Sequence, residues 1–163
     1  MPKAVIAFGS NIEPEKYVPL ALRRLREHVR ILSVSPVYRT PPVGAPGSPP
    51  YWNGALLVET DIPPQELHDR VLRGIEAELG RVRSANPNAP RTIDLDLVLY
   101  EGVTSDDPWL PLPSPDLFRY AHVAIPVADI VPDWQVGGQR VRELADRLRE
   151  QAGAFEVVTV TLD

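Results

Sequence analysis

The stretch Ile93-Asp94-Leu95-Asp96-Leu97-Val98-Leu99-Tyr100 narrows the fold most. Successive strand side chains point to opposite faces, so Ile93, Leu95, Leu97 and Leu99 predict one face and Asp94, Asp96, Val98 and Tyr100 the other. A leucine face must be covered by a second layer of structure. The two aspartates share the opposite face, roughly 6.6 Å apart at about 3.3 Å per residue. Paired carboxylates repel unless a cation or an arginine stands beside them. Oxygen-only ligands suit Mg²⁺, and two Mg²⁺ ions roughly 3.5–4 Å apart can be bridged in phosphoryl chemistry. The bland alternative is a solvated strand end in which each aspartate has its own arginine.

Other elements fall into place around this strand. Lys3 to Phe8 predicts a buried strand that ends in Gly9-Ser10-Asn11. Pro14 to Arg30 predicts a helix with the apolar stripe Val18, Leu22, Leu25 and Val29, and Pro19 either starts its regular part or kinks it. Ile31 to Tyr38 and Ala55 to Thr60 predict strands. Between them, Thr40 to Pro50 holds five prolines and two glycines, which makes it a long loop of the kind that carries function. Pro63-Pro64 opens a helix whose face is Leu67, Val71, Leu72, Ile75 and Leu79, with Gly80 as its stop. Asp116 to Val127 predicts a short helix. A late helix carries Val141, Leu144 and Leu148, and Phe155 to Leu162 predicts a closing strand.

The resulting order, β-α-β-β-α-β with a C-terminal helix and strand, belongs to the ferredoxin-like α+β class, an antiparallel sheet with helices on one face. With 163 residues and no repeat or linker, the chain reads as a single domain, 1–163.

Composition removes several function classes. There is no cysteine, and His28, His68 and His122 are far apart, which argues against thiol chemistry and a histidine-rich zinc site. No apolar run approaches the roughly 20 residues of a membrane helix. The N-terminus has no signal-peptide pattern, so the expected location is the cytoplasm. A net charge of −5 argues against a nucleic-acid partner. Oligomeric state is left open. The P-loop, the Gly-x-Gly-x-x-Gly turn and the Gly-x-Ser-x-Gly elbow are all missing, which disfavours Walker-type NTPases, Rossmann dehydrogenases and α/β-hydrolases.

Two local features sharpen the chemistry. Gly80 to Thr92 carries Arg81, Arg83 and Arg91 and no acid, directly before the two aspartates. Arginine forks match phosphate oxygens, and carboxylate-held Mg²⁺ beside arginines is what polyphosphate transfer needs. Tyr51-Trp52-Asn53 follows the proline loop. Aromatic rings sandwich flat rings, and an Asn amide both donates to and accepts from a heterocycle edge. The competing reading is that Tyr51 and Trp52 cap the core beneath a loop.

Five segments, in order, resemble the 6-hydroxymethyl-dihydropterin pyrophosphokinases of folate synthesis. They are Ala7–Asn11, Ser35–Gly44, Tyr51-Trp52-Asn53, Ile75-Glu76 with Gly80–Arg83, and Pro90-Arg91-Thr92-Ile93-Asp94-Leu95-Asp96-Leu97. The resemblance covers about residue 4 to Pro132. It implies a ferredoxin-like core and transfer of pyrophosphate from ATP to the pterin hydroxymethyl group, with release of AMP. It implies two Mg²⁺ ions held by Asp94 and Asp96, and Arg81 and Arg91 as the catalytic arginines. Glu76, Arg81, Arg83, Arg91, Leu97 and Ser114 would serve the nucleotide. Thr40, Pro41, Val43, Tyr51, Asn53, Asp94 and His122 would serve the pterin. The chain also departs from the family pattern. Asn88-Ala89 replaces a Trp-Gly pair, Pro113-Ser114 a Pro-His, Tyr120 an Arg and His122 a Phe. These departures define a second reading, a pterin- or nucleotide-binding module of the same fold with weak or no transfer. A third is a relative acting on another small alcohol.

Overall fold

The computed structural model describes residues 1–41, 47, 49–80 and 91–160. Val43, Arg81, Arg83, Asn88 and Ala89 lie outside the described residues.

Five principal strands build the main sheet: β1 (Lys3–Ser10), β2 (Arg30–Val34), β3 (Val37–Thr40), β4 (Tyr51–Glu59) and β5 (Asp94–Tyr100). Their order is β5-β1-β4-β3, with β2 also on β4 and every pairing antiparallel. With β2 and β3 counted as one interrupted strand, this is the ferredoxin-like order. The expected strand Ile31 to Tyr38 is broken at Ser35-Pro36. Pro36 has no N–H to give a ladder, and the Ser35 hydroxyl takes the N–H of Ala55 at 2.9 Å instead. β4 starts earlier than Ala55, so Tyr51-Trp52-Asn53 belongs to the sheet rather than to a loop end.

The face assignment of β5 needs one correction. Ile93, Leu95 and Leu97 enter one core as expected, but Leu99 joins the opposite core and Tyr100 joins the first. The cause is a bulge. Val5 pairs with Leu99 and Ile6 with Leu97, so Val98 is an extra residue and the alternation inverts beyond it.

Helices cover both faces, not one. On the first face lie α1 (Pro14–Arg26) and a rod made of α2 (Pro64–Glu66), a π-helical stretch Leu67–Leu72 and α3 (Arg73–Glu78). The stripe Val18, Leu22 and Leu25 and the row Leu67, Val71, Leu72 and Ile75 are buried there against Ile6, Leu56 and Leu95. Pro19 neither starts nor ends α1, which runs through it. The second face of the sheet is apolar too, with Val5, Ala7, Ala55 and Leu57, and must also leave water. It is covered by α5 (Ala121–Ile130) and α6 (Val141–Leu148). The expected helix Asp116 to Val127 divides into α4 (Asp116–Arg119) and α5, because Tyr120 between them is extended at φ −123°, ψ 126°.

Beyond α5 a two-stranded ribbon, β6 (Gln135–Val136) and β7 (Gln139–Arg140), leads into α6. A 3₁₀ turn, Arg149–Ala152, and a short strand, β8 (Glu156–Val158), follow α6; β8 adds to the free edge of β3. No helix among the described residues is long and apolar enough to cross a membrane.

Candidate active site

Strand register assembles the site. Asp94 on β5, Gly9 on β1, Asn53 on β4 and Tyr38 on β3 stand side by side across four strands. One step along, Asp96 pairs with Ala7. Because i and i+2 share a face, Asp94 and Asp96 point to the second face of the sheet, as do Tyr51 and Asn53.

Gly9 is what lets this row close. A Cβ there would lie 2.8 Å from the Asn53 Oδ1. The amide of buried Asn53 thus rests directly over β1 and donates through Nδ2 to the Thr40 hydroxyl at 2.6 Å. One bond fixes both polar side chains and sets which edge of the Asn53 amide faces outward.

Thr40, Pro41, Tyr51, Asn53, Arg91, Asp94, Asp96 and His122 all line one cleft of about 310 Å³. From the covering layer come Tyr120, in the link between α4 and α5, and His122 of α5, whose rings stack at 5.1 Å between centroids and 25° between planes. Burial lowers the His122 pKa; the negative charges of Asp116 and Asp94 oppose this without overcoming it. His122 is therefore a neutral flat ring at pH 7, with a large apolar surface to offer a ligand. Asp116 also lines the cleft.

The acidic end is braced by arginines. Arg91 Nη1 lies 3.0 Å from Asp94 Oδ2, and Arg73 Nη2 lies 3.7 Å from Asp96 Oδ1. Behind them Glu76 is buried at 2% exposure, too costly for an unpaired charge. It is paired: Glu76 accepts the main-chain N–H of Leu95 at 2.8 Å and the guanidinium of Arg73 at 2.8 Å. Arg73 also donates to the Leu95 carbonyl at 3.3 Å. Both peptide groups of Leu95, the residue between the two aspartates, are thereby anchored to α3. Glu76 acts here from behind the strand and is absent from the cleft lining.

The donor set at this end consists of hard carboxylate oxygens on one strand face. Among the described residues no group of three or more His, Asp and Glu is placed to hold a metal ion. Two carboxylates with the remaining positions left to water and phosphate is a coordination shell that suits Mg²⁺, whereas protein zinc sites draw mostly on nitrogen and sulfur ligands.

Asn11 is a residue that sequence reasoning passed over. It is buried, its N–H donates to the Arg91 carbonyl at 3.2 Å, and its Oδ1 accepts the Arg91 N–H at 2.8 Å. Its Nδ2 also reaches the Pro49 carbonyl at 3.5 Å. Asn11 thus ties the peptide of Arg91 to the end of β1 and to the proline loop. The signal was present in Gly9-Ser10-Asn11, read as a turn; Gly9 and Ser10 are strand residues and Asn11 a clamp.

Leu97 and Ser114 do not line the cleft. The Leu97 side chain is buried in the first core. Ser114 donates its N–H to the Val98 carbonyl at 2.9 Å, and its hydroxyl accepts the Asp116 N–H at 3.3 Å. Val43, Arg81 and Arg83 lie outside the described residues.

Residues 5–132 match the model of the 7,8-dihydro-6-hydroxymethylpterin-pyrophosphokinase family. The chain belongs to this family of folate-pathway pyrophosphokinases. It is 36% identical over 154 residues to the 2-amino-4-hydroxy-6-hydroxymethyldihydropteridine pyrophosphokinase of Methylorubrum extorquens, covering 91% of this chain and 94% of that one. The enzyme of the same name from Pseudomonas aeruginosa is 37% identical over 147 residues, covering 87% and 89%. The folic acid synthesis protein fol1 of Schizosaccharomyces pombe is 35% identical over 153 residues, covering 91% of this chain and 21% of that one. In structure the chain is similar to the wild-type HPPK-DHPS of Plasmodium falciparum, with a TM-score of 0.70 at 13% identity. That match covers 98% of this chain and 48% of the other, so the chain spans about half its length. At this identity the likeness shows the fold, and the family's fold is the ferredoxin-like one derived above.

Proposed function

We propose that residues 1–163 form one catalytic domain that transfers pyrophosphate from ATP to the hydroxymethyl group of 6-hydroxymethyl-7,8-dihydropterin, releasing AMP, in the cytoplasm. The observation that carries this reading is one cleft lined both by flat rings with an amide and by two carboxylates with an arginine. The rings of Tyr51 and His122 and the Asn53 amide share this lining with Asp94, Asp96 and Arg91.

Thr40, Pro41, Val43, Tyr51, Asn53 and His122 bind the pterin. The rings hold its faces and Asn53, oriented by Thr40, reads its edge. Asp94 and Asp96 hold two Mg²⁺ ions together with the ATP phosphates. Bound there, Mg²⁺ neutralises phosphate charge and lowers the pKa of the substrate alcohol. Asp94, across Gly9 from Asn53, also faces the hydroxymethyl group. Arg91, with Arg81 and Arg83, binds the phosphates and stabilises the charge that develops as the β-phosphorus is attacked. Its main chain is clamped by Asn11, so its guanidinium starts from a fixed point.

Leu97 serves the nucleotide through its main chain. β5 is an edge strand, and the Leu95 peptide groups point to the open side, toward Glu76 and Arg73. Residues i and i+2 present their peptide groups in the same direction, so those of Leu97 face that side too. Glu76 supports the nucleotide side by fixing Leu95, and Ser114 by fixing the turn before α4.

The test is AMP release from MgATP with and without the pterin, followed by the same assay on Asp94→Ala. Pterin-dependent AMP together with a pyrophosphorylated pterin supports the reading, and Asp94→Ala should remove turnover while pterin still binds. A folded protein that binds pterin and yields no AMP would instead be a binding module.

A further inference from the structure

The family match ends at residue 132, yet the segment after α6 reaches both β3, which ends in Thr40, and the peptide groups around Tyr120. On one side Gln151, in the 3₁₀ turn, brackets Tyr120. Its Oε1 accepts the N–H of Ala121 at 3.1 Å and its Nε2 donates to the carbonyl of Arg119 at 3.2 Å. These are the peptide groups immediately before and after Tyr120. That residue is the extended link between α4 and α5. α5 has no cap from its own N-cap side chain. An uncapped helix start leaves N–H groups unsatisfied, and Gln151 satisfies the first of them from 30 residues downstream.

On the other side the same segment holds β3, the strand that ends in Thr40. Val157 pairs with Tyr38 and Glu156 with Arg39. The Phe155 ring lies against Tyr38 at 6.4 Å, and the Tyr38 hydroxyl donates to Asp129 of α5 at 2.5 Å. Residues 149–158 therefore span from the Thr40 strand to the Tyr120–His122 corner.

We propose that this C-terminal segment is a strut that sets the spacing of the pterin slot, with Gln151 as its positioning residue. Gln151 touches no reacting group. It acts through Tyr120, whose backbone setting fixes where the Tyr120–His122 ring pair stands. A single primary amide is the side chain for this task, because one carbonyl and one NH₂ answer one N–H and one C=O. This inference rests on the assignment of Tyr51, Asn53 and His122 to the pterin.

The experiment compares Gln151→Ala, Gln151→Glu and His122→Ala by equilibrium binding of 6-hydroxymethylpterin, followed by its fluorescence, and by steady-state kinetics. A carboxylate at 151 still accepts from Ala121 and favours a helix N-terminus, but cannot donate to Arg119. Loss of one net hydrogen bond corresponds to roughly a fivefold change in an equilibrium constant. Gln151→Ala is expected to raise the pterin Kd and KM by about that factor or more. The nucleotide KM should stay at the wild-type value and kcat within about twofold, because the phosphate end does not rest on this strut. Gln151→Glu should recover part of the loss, through the Ala121 bond alone. An unchanged pterin Kd in Gln151→Ala, with His122→Ala weakened, would overturn the strut. A parallel loss of pterin and nucleotide affinity in Gln151→Ala would overturn it as well, since that is what general destabilisation does. An unchanged Kd in His122→Ala would overturn the site assignment itself, and the strut with it.

Discussion

Asn11 and Arg91 are bonded peptide to peptide and peptide to side chain: the Asn11 N–H donates to the Arg91 carbonyl at 3.2 Å, and the Arg91 N–H donates to the Asn11 Oδ1 at 2.8 Å. The pair joins the end of β1 to the residue that delivers an arginine to Asp94. Asn11→Ala should remove both side-chain bonds, the long one to Pro49 and the one that leaves the Arg91 N–H unsatisfied, a loss of about 1–3 kcal/mol in stability. Because the same bond positions Arg91, the variant should also lose turnover beyond what its unfolded fraction explains. Urea denaturation and AMP release on the same preparation separate the two effects. A stability loss with fully retained specific activity would reduce Asn11 to a scaffold residue.

Gly9→Ala tests the close approach of β1 to Asn53. The added Cβ would lie 2.8 Å from the Asn53 Oδ1, so the amide or the strand has to move. Overpacking of this kind costs roughly 1–3 kcal/mol. Since the atom displaced belongs to Asn53, pterin affinity should fall more than nucleotide affinity. Binding titrations of each substrate to the variant decide this, and equal losses would show that the strand moved instead.

What was legible in the sequence, and what was not, divides along the range of the physics. Local periodicity gave the β5 row as far as Leu97, the α1 stripe and the Leu67–Ile75 face, because the core demands them at fixed spacing. Asp94 and Asp96 were legible for the same reason. Three features depended on distant partners and were not. The bulge at Val98 exists only in register with Val5 and Ile6. The second helix layer follows from Val5, Ala7 and Ala55, which in sequence look like ordinary buried strand residues. Asn11 and Gln151 reach peptide groups 80 and 30 residues away. Glu76 was placed beside the nucleotide by resemblance, but its burial and its bonds to Leu95 and Arg73 are tertiary facts.

Glu76→Ala should be among the most damaging single changes. It would strip a buried carboxylate from Arg73 and from the Leu95 N–H. Breaking a buried pair by removing one partner costs about 3–5 kcal/mol, and the partial exposure of Arg73 favours the lower figure. Arg73, freed of Glu76, is expected to close on Asp96, at 3.7 Å in the wild type. Glu76→Gln keeps an acceptor for Leu95 and should be milder in stability, yet still raise the Mg²⁺ concentration needed for half-maximal rate. A Mg²⁺ titration identical to wild type in Glu76→Gln would remove the link from Glu76 to Asp96.

His122 gives a prediction with a defined sign in pH. Burial lowers its pKa in the folded protein below the ordinary histidine value, so between the two values the unfolded chain binds a proton that the folded chain refuses. Stability then rises with pH across that window and falls as pH drops below about 6.5, the unfolded value. His122→Phe removes the titrating group and keeps a flat ring of similar size. The difference in unfolding free energy between wild type and His122→Phe should therefore shift in favour of the variant on going from pH 7.5 toward pH 5. Pterin affinity at pH 7.5 should be held or improved by Phe and weakened by Ala, by about 0.5–1.5 kcal/mol for loss of a stacked ring. Denaturant titrations of the two proteins across that range check the first statement, and pterin binding checks the second. A stability difference that is flat in pH would show that His122 titrates as freely in the cleft as in the unfolded chain.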